Sequence, residues 1–154
     1  MAKTVSSISE LKSVAETFLD ALLKEPKSAN ATLVGLSGDL GTGKTAFTKC
    51  VAELLDIADT VTSPTFVLEK RYSIPKDAIL SSRFDSLIHV DAYRLHKGEE
   101  MKALDWEVTL ADPHNLILLE WPEQVEGALP KDRIKLTFEY IDEGVRKIGG
   151  DFIE

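Results

Sequence analysis

The residues Gly38-Asp39-Leu40-Gly41-Thr42-Gly43-Lys44-Thr45 follow the pattern G-x-x-x-x-G-K-[ST], a spacing suited to gripping a chain of phosphates. Glycines reach backbone angles closed to other residues and turn successive N–H groups inward around an anion. A helix starting near Lys44 would add unpaired donors and the positive end of its dipole. Lys44 offers a point charge to the β- and γ-phosphates, and the Thr45 hydroxyl offers an oxygen to Mg²⁺. Asp39, Leu40, Gly41, Thr42, Gly43, Lys44 and Thr45 thus form a candidate cradle for a nucleoside triphosphate, ATP with Mg²⁺.

Turning over such a nucleotide calls for an acid at the end of a neighbouring buried strand, to hold the metal shell or orient water. Asp91 closes the run Leu87-Ile88-His89-Val90, and Glu120 closes Leu116-Ile117-Leu118-Leu119. Either could instead be a solvated strand-end acid. His89 is two residues from Asp91 and would share its face, as a site dyad or as a hydrogen-bonded structural histidine. Mg²⁺ prefers oxygen, which favours the structural role. Thr65, within Thr62-Ser63-Pro64-Thr65-Phe66, is either a switch hydroxyl near the γ-phosphate or part of a proline turn. Arg94 could offset phosphate charge or be solvated. Cys50 and the histidines show no zinc spacing, and Cys50 reads as a core residue.

These groups need elements to hold them. Ser7 and Glu10 have capping-box spacing, and Leu11, Val14, Ala15, Phe18 and Leu22 follow on one helical face. That predicts a helix ending near Pro26. Thr32 to Ser37 predicts a buried strand leading into the glycine turn. Lys44 to Leu55 predicts a helix with Phe47, Val51, Leu54 and Leu55 inward. Phe66 to Tyr72 reads as a charged strand, and Ile74 to Phe84 as a hairpin or surface loop. Leu87 to Val90 and Leu116 to Leu119 are core strands. Glu99 to Leu104 is a helical turn or two. Arg133 to Ile141 alternates as a half-buried strand, with Val145 to Ile153 pairing beside it. The sum is one α/β domain over residues 1–154 with a P-loop NTPase-like architecture: a mostly parallel sheet, flanking helices, and antiparallel strands at the edge.

Composition narrows the partners. The 154 residues are 44% hydrophobic and 29% charged, close to globular averages. No apolar run is long enough to span a membrane, no secretion signal opens the chain, and one cysteine fits a reduced cytoplasmic setting. Acids outnumber bases by 26 to 18, a net charge of −8, and no basic run exceeds two residues. Unaided grip on a nucleic acid normally needs a basic face, so autonomous nucleic-acid binding is disfavoured and a partner would have to supply the basic surface.

Four motifs in order carry a resemblance: Gly38 to Thr45, Ser63-Pro64-Thr65-Phe66, His89-x-Asp91-x-Tyr93-Arg94-Leu95, and Glu120-Trp121-Pro122. Together, across roughly Ser9 to Lys147, they resemble the bacterial TsaE family, small ATPases of tRNA threonylcarbamoyladenosine biosynthesis. The resemblance implies weak ATP hydrolysis by the protein alone, stimulated by partners, and work within a complex with TsaD and TsaB. It implies that Lys44 holds phosphates, that Thr45 and Glu120 make the metal site, and that Asp91 and Thr65 are switch-like groups near the γ-phosphate. It places Ser9 and Glu10 near the base and makes Trp121 functionally sensitive, though a packed aromatic is an equal reading. Thr42 stands where the family commonly has alanine, a change expected to be tolerated at a solvent-facing loop position. The span from Tyr72 to His89 is long for the family, which leaves Arg71 and Arg83 without an assigned role.

Two other functions compete. A small-molecule kinase would bring arginines over the phosphates in a lid, and the arginines here are scattered. A non-catalytic nucleotide-sensing module would share the cradle. The guanine-reading pattern Asn-Lys-x-Asp is absent, which favours ATP.

Overall fold

Runs of aliphatic residues bounded by turn residues set the frame, in a computed structural model that describes residues 2–62, 68–78 and 83–153. In chain order the elements are β1 (Ala2–Val5), α1 (Ile8–Leu23), β2 (Thr32–Ser37), α2 (Lys44–Leu54), β3 (Glu69–Ser73) and β4 (Ser86–Asp91). Next come a 3₁₀ segment (Gly98–Leu104), α3 (Trp106–Ala111), β5 (Asn115–Glu120), a second 3₁₀ segment (Pro122–Ala128), β6 (Ile134–Asp142) and β7 (Val145–Gly150).

The strands form one sheet in the order β1-β7-β6-β2-β5-β4-β3. Its four central strands, β6, β2, β5 and β4, run parallel. The pairs β1–β7, β6–β7 and β3–β4 are antiparallel. Four of the seven strands are thus parallel and form the centre of the sheet, with antiparallel pairs on both flanks. β5 is buried along its whole length and β4 almost so, as strands covered on both faces must be.

Alternation along the central strands divides the core. Val34, Leu36, Leu116 and Leu118 face α1 and α2, joining Phe18, Phe47 and Val51. Leu33, Ile117, Leu119, Ile88 and Val90 face the opposite way, against Met101, Trp106 and Val125 of the short helical segments. Leu54 is only partly buried, while Phe47, Val51 and Leu55 are buried as expected.

The Ser7 side chain caps α1, its hydroxyl accepting from the Glu10 N–H at 3.1 Å. Glu10 reaches back one residue further than a capping box requires, to Ser6, whose hydroxyl donates to it at 2.9 Å. At the other end Arg83 closes the helix, donating to the carbonyls of Leu22 (2.9 Å), Glu25 (2.7 Å) and Pro26 (2.9 Å). The segment expected as a surface loop also feeds the core, because Ile74, Ala78 and Phe84 are buried. Its turn at Pro75 is held by the Ala78 N–H donating to the Pro75 carbonyl.

Candidate functional site

β2 delivers the chain to the carboxyl edge of the sheet, where Gly38 opens the loop at φ +155°. A Cβ there would lie 2.4 Å from the Phe138 carbonyl oxygen of β6, so only glycine fits. Gly43, at φ +107°, then turns the chain into α2 as its N-cap. Thr42 is not solvent-facing. It is 3% exposed, and its hydroxyl donates to the Asp39 carbonyl at 2.7 Å, tying the loop across its own width. The loop tip is held from outside by Arg146, whose Nε donates to the Gly41 carbonyl at 3.0 Å while its guanidinium sits 4.6 Å from the Tyr140 ring.

Lys44 is 4% exposed, unusual for lysine. Its ammonium donates to the Gly38 carbonyl and lies 3.9 Å from the centre of the Trp121 ring. Burial pushes its pKa below the ordinary lysine value, and the carboxylates of Glu120, Glu123, Asp91 and Asp39 pull it only part of the way back. Trp121 reaches this position by turning into a left-handed conformation directly after β5, φ +60°. Its ring also packs on Tyr93, with centroids 5.1 Å apart.

β4 and β5 lie in register with Asp91 opposite Glu120, so the two strand-end acids are neighbours. Both are buried. Asp91 Oδ1 accepts from the Tyr93 N–H at 2.9 Å, fixing the turn after β4. Glu120 Oε2 accepts from the Thr45 hydroxyl at 3.0 Å and meets His89 Nε2 at 2.6 Å. His89 is thus a buried, hydrogen-bonded histidine whose Nε2 partner is Glu120.

A cleft of about 810 Å³ brings these parts together. Leu40 to Thr45, Asp91 and Glu120 all line it, as does Trp121. Asp39 is exposed and not on the wall. Ser9 and Glu10 are not on the wall either; the start of α1 contributes Ser6, Ser7, Ile8 and Leu11 instead. Glu10 is instead occupied in the cap, its carboxylate accepting from the Ser6 hydroxyl. Thr65, with Ser63, Pro64 and Phe66, lies outside the described residues. Sequence reading missed Arg146 and Gly144, which also line the cleft. Nothing local marks them, because the β6–β7 hairpin meets the loop only through the fold.

The donors fit a small hard cation. Thr45 and Glu120 present a hydroxyl and a carboxylate in mutual contact beside the cradle. Among the described residues no group of three or more His, Cys, Asp or Glu could enclose a metal by itself. Mg²⁺ is the ion that needs few protein ligands, completing its shell with phosphate oxygens and water.

The sequence model of the family described as "Threonylcarbamoyl adenosine biosynthesis protein TsaE" matches residues 5–148, which include every wall of the cleft. The chain belongs to the TsaE family. It is 42% identical over 108 residues to the tRNA threonylcarbamoyladenosine biosynthesis protein TsaE of Streptomyces coelicolor, covering 70% of this chain and 68% of that one. Against the TsaE of Bacillus subtilis it is 36% identical over 113 residues, 73% of this chain and 65% of the relative. The Rickettsia bellii TsaE is 34% identical over 143 residues, 92% of this chain and 88% of the relative. Among solved structures, Bacillus subtilis YdiB superposes with a TM-score of 0.69 at 26% identity, covering 97% of this chain and 83% of that one. A TsaE fold with its glycine loop against Thr45, Asp91 and Glu120 accounts for the P-loop-like architecture read from the sequence.

Proposed function

We propose that the protein binds ATP with Mg²⁺ and hydrolyses it slowly to ADP and phosphate, as the partner-dependent ATPase of tRNA threonylcarbamoyladenosine biosynthesis, acting with TsaD and TsaB in the cytoplasm. The observation that carries this reading is the contact between the Thr45 hydroxyl and Glu120 at the mouth of the glycine loop. Backbone N–H groups of Gly41 to Thr45 and the Lys44 ammonium would hold the phosphates. Thr45 and Glu120 would hold Mg²⁺, which when bound neutralises charge on the β- and γ-phosphate oxygens. Asp91, beside Glu120, would orient the attacking water, with Thr65 as a further switch-like group. Trp121 would keep the Lys44 ammonium aligned through its ring face.

Partner dependence agrees with the charge. At −8 the protein is poorly suited to hold tRNA itself, so TsaD and TsaB would carry that contact. No helix among the described residues is long and apolar enough to cross a membrane.

The test is phosphate release by the protein alone and with TsaD and TsaB. Slow release that rises with partners, lost in Lys44→Ala and Glu120→Ala, is expected. Normal turnover by Glu120→Ala with partners present would remove the metal assignment. ATP-dependent partner binding without phosphate release would replace hydrolysis by sensing.

A further inference from the structure

His89 sits in the middle of β4 between Ile88 and Val90, fully buried at 0% exposure. It does not line the cleft. Its ring is nonetheless joined to the site, because Nε2 lies 2.6 Å from Glu120 Oε2. A carboxylate oxygen only accepts, so Nε2 carries the proton in this contact. The other ring nitrogen, Nδ1, is buried with no hydrogen-bond partner among the described residues. A buried polar atom left unpaired costs stability that an aliphatic side chain would not. The histidine is therefore a poor choice for the core and a good one for Glu120.

The Glu120 carboxylate is pinned from two sides on the same atom. Thr45 donates to Oε2 from the cleft side and His89 from within the sheet. Oε1 takes part in neither contact. A glutamate side chain has three rotatable bonds, and ordering it costs conformational freedom. The Thr45 contact alone ties Glu120 to a hydroxyl that is itself a candidate metal ligand. The His89 contact anchors it to the rigid sheet instead.

We infer that His89 is a positioning residue: its Nε2–H fixes the Glu120 carboxylate so that the Thr45–Glu120 pair is preorganised for a divalent cation bound with the nucleotide. This rests on the Mg²⁺ reading above. Hydrogen bonds that orient a ligating group typically matter about 10–100-fold in metal affinity.

The test compares His89→Met with His89→Gln. Glutamine can put an amide N–H near the Nε2 position, whereas methionine has similar bulk and no donor. ADP binding is measured by titration calorimetry across a range of MgCl₂, with thermal unfolding read on the same samples. His89→Met is expected to need about tenfold more Mg²⁺ for the half-maximal gain in ADP affinity, with Mg²⁺-free ADP affinity unchanged. His89→Gln is expected to recover most of that loss. His89→Met should melt within about 5 °C of the unmodified protein, because removal of the unpaired buried nitrogen offsets the lost hydrogen bond to Glu120.

A Mg²⁺ dependence left untouched by His89→Met overturns the inference. So does a His89→Gln variant as impaired as His89→Met, or a His89→Met melting point lower by more than about 5 °C, either of which makes the imidazole structural. No Mg²⁺ effect on ADP binding in the unmodified protein overturns the proposed function, and this inference with it.

Discussion

Replacing Arg83 by methionine isolates a capping role at the end of the molecule away from the glycine loop. The guanidinium donates to the carbonyl of Leu22 in the last turn of α1, which also accepts from the Glu25 N–H, and to those of Glu25 and Pro26 just beyond the helix. The bond to Leu22 is partly buried, and a charged donor there contributes about 1.5–3 kcal/mol. The Glu25 and Pro26 carbonyls are exposed and regain water when the arginine is lost, so together they add about 1 kcal/mol at most. Methionine keeps the apolar stem beside Phe84 and removes only the head. The expected loss is about 2–3 kcal/mol in urea unfolding, and about 5–10 °C in melting temperature for a chain of this size. Arg83→Lys should recover only part of it, because one ammonium cannot match the fork across three acceptors. ADP affinity, measured on the same preparations, should stay within about twofold. A loss under about 0.5 kcal/mol, or a clear fall in ADP affinity, would refute a capping role.

Thr42→Ala should cost about 1 kcal/mol in urea unfolding, because the hydroxyl lost is buried and bonded across the loop. A neutral result would return Thr42 to the tolerated class. Arg146→Met should weaken ADP binding about fivefold by releasing the Gly41 carbonyl, with unfolding nearly unchanged, as calorimetry beside denaturation would read. For Lys44 the folded pKa lies below that of the unfolded chain, so the unfolded state binds more protons between the two values and stability rises with pH there. The stability difference between the unmodified protein and Lys44→Met should therefore move in favour of the unmodified protein as alkaline pH is raised through that window. ADP affinity should fall over the same window. A difference that is flat in pH would show the ammonium is not desolvated.

The parts of the site that could be read from the sequence are those set by local rules. The glycine spacing, the aliphatic runs ending at Asp91 and Glu120, and the Ser7 cap each depend on neighbours within a few residues, and they stand where expected. β1 could not be read, since its partner β7 lies at the far end of the chain and only Val5 of its four residues is buried. The 3₁₀ segment at Pro122–Ala128 and helix α3 are too short for a period to declare itself. Thr42 was misjudged because exposure in a loop depends on how the loop folds back, and its type gives no sign of the Asp39 contact. Arg146 belongs to the same class, since its role exists only once β6 and β7 fold beside the loop. The Glu120 partner of His89 was hidden because it comes from the adjacent strand, whereas a reading along one strand sees only Asp91.

Gly38 packs against the Phe138 backbone, and β6 is the parallel neighbour of β2. The glycine loop is complete in sequence by residue 45, but its supporting wall is residues 134–142, far downstream of it. On the ribosome, a nascent chain that has not yet released residues 134–142 leaves one edge of β2 unpaired and the loop without a floor. A ligand of the loop can thus reward folding only once β6 has been made, and chains broken off before it would carry the intact motif without its floor.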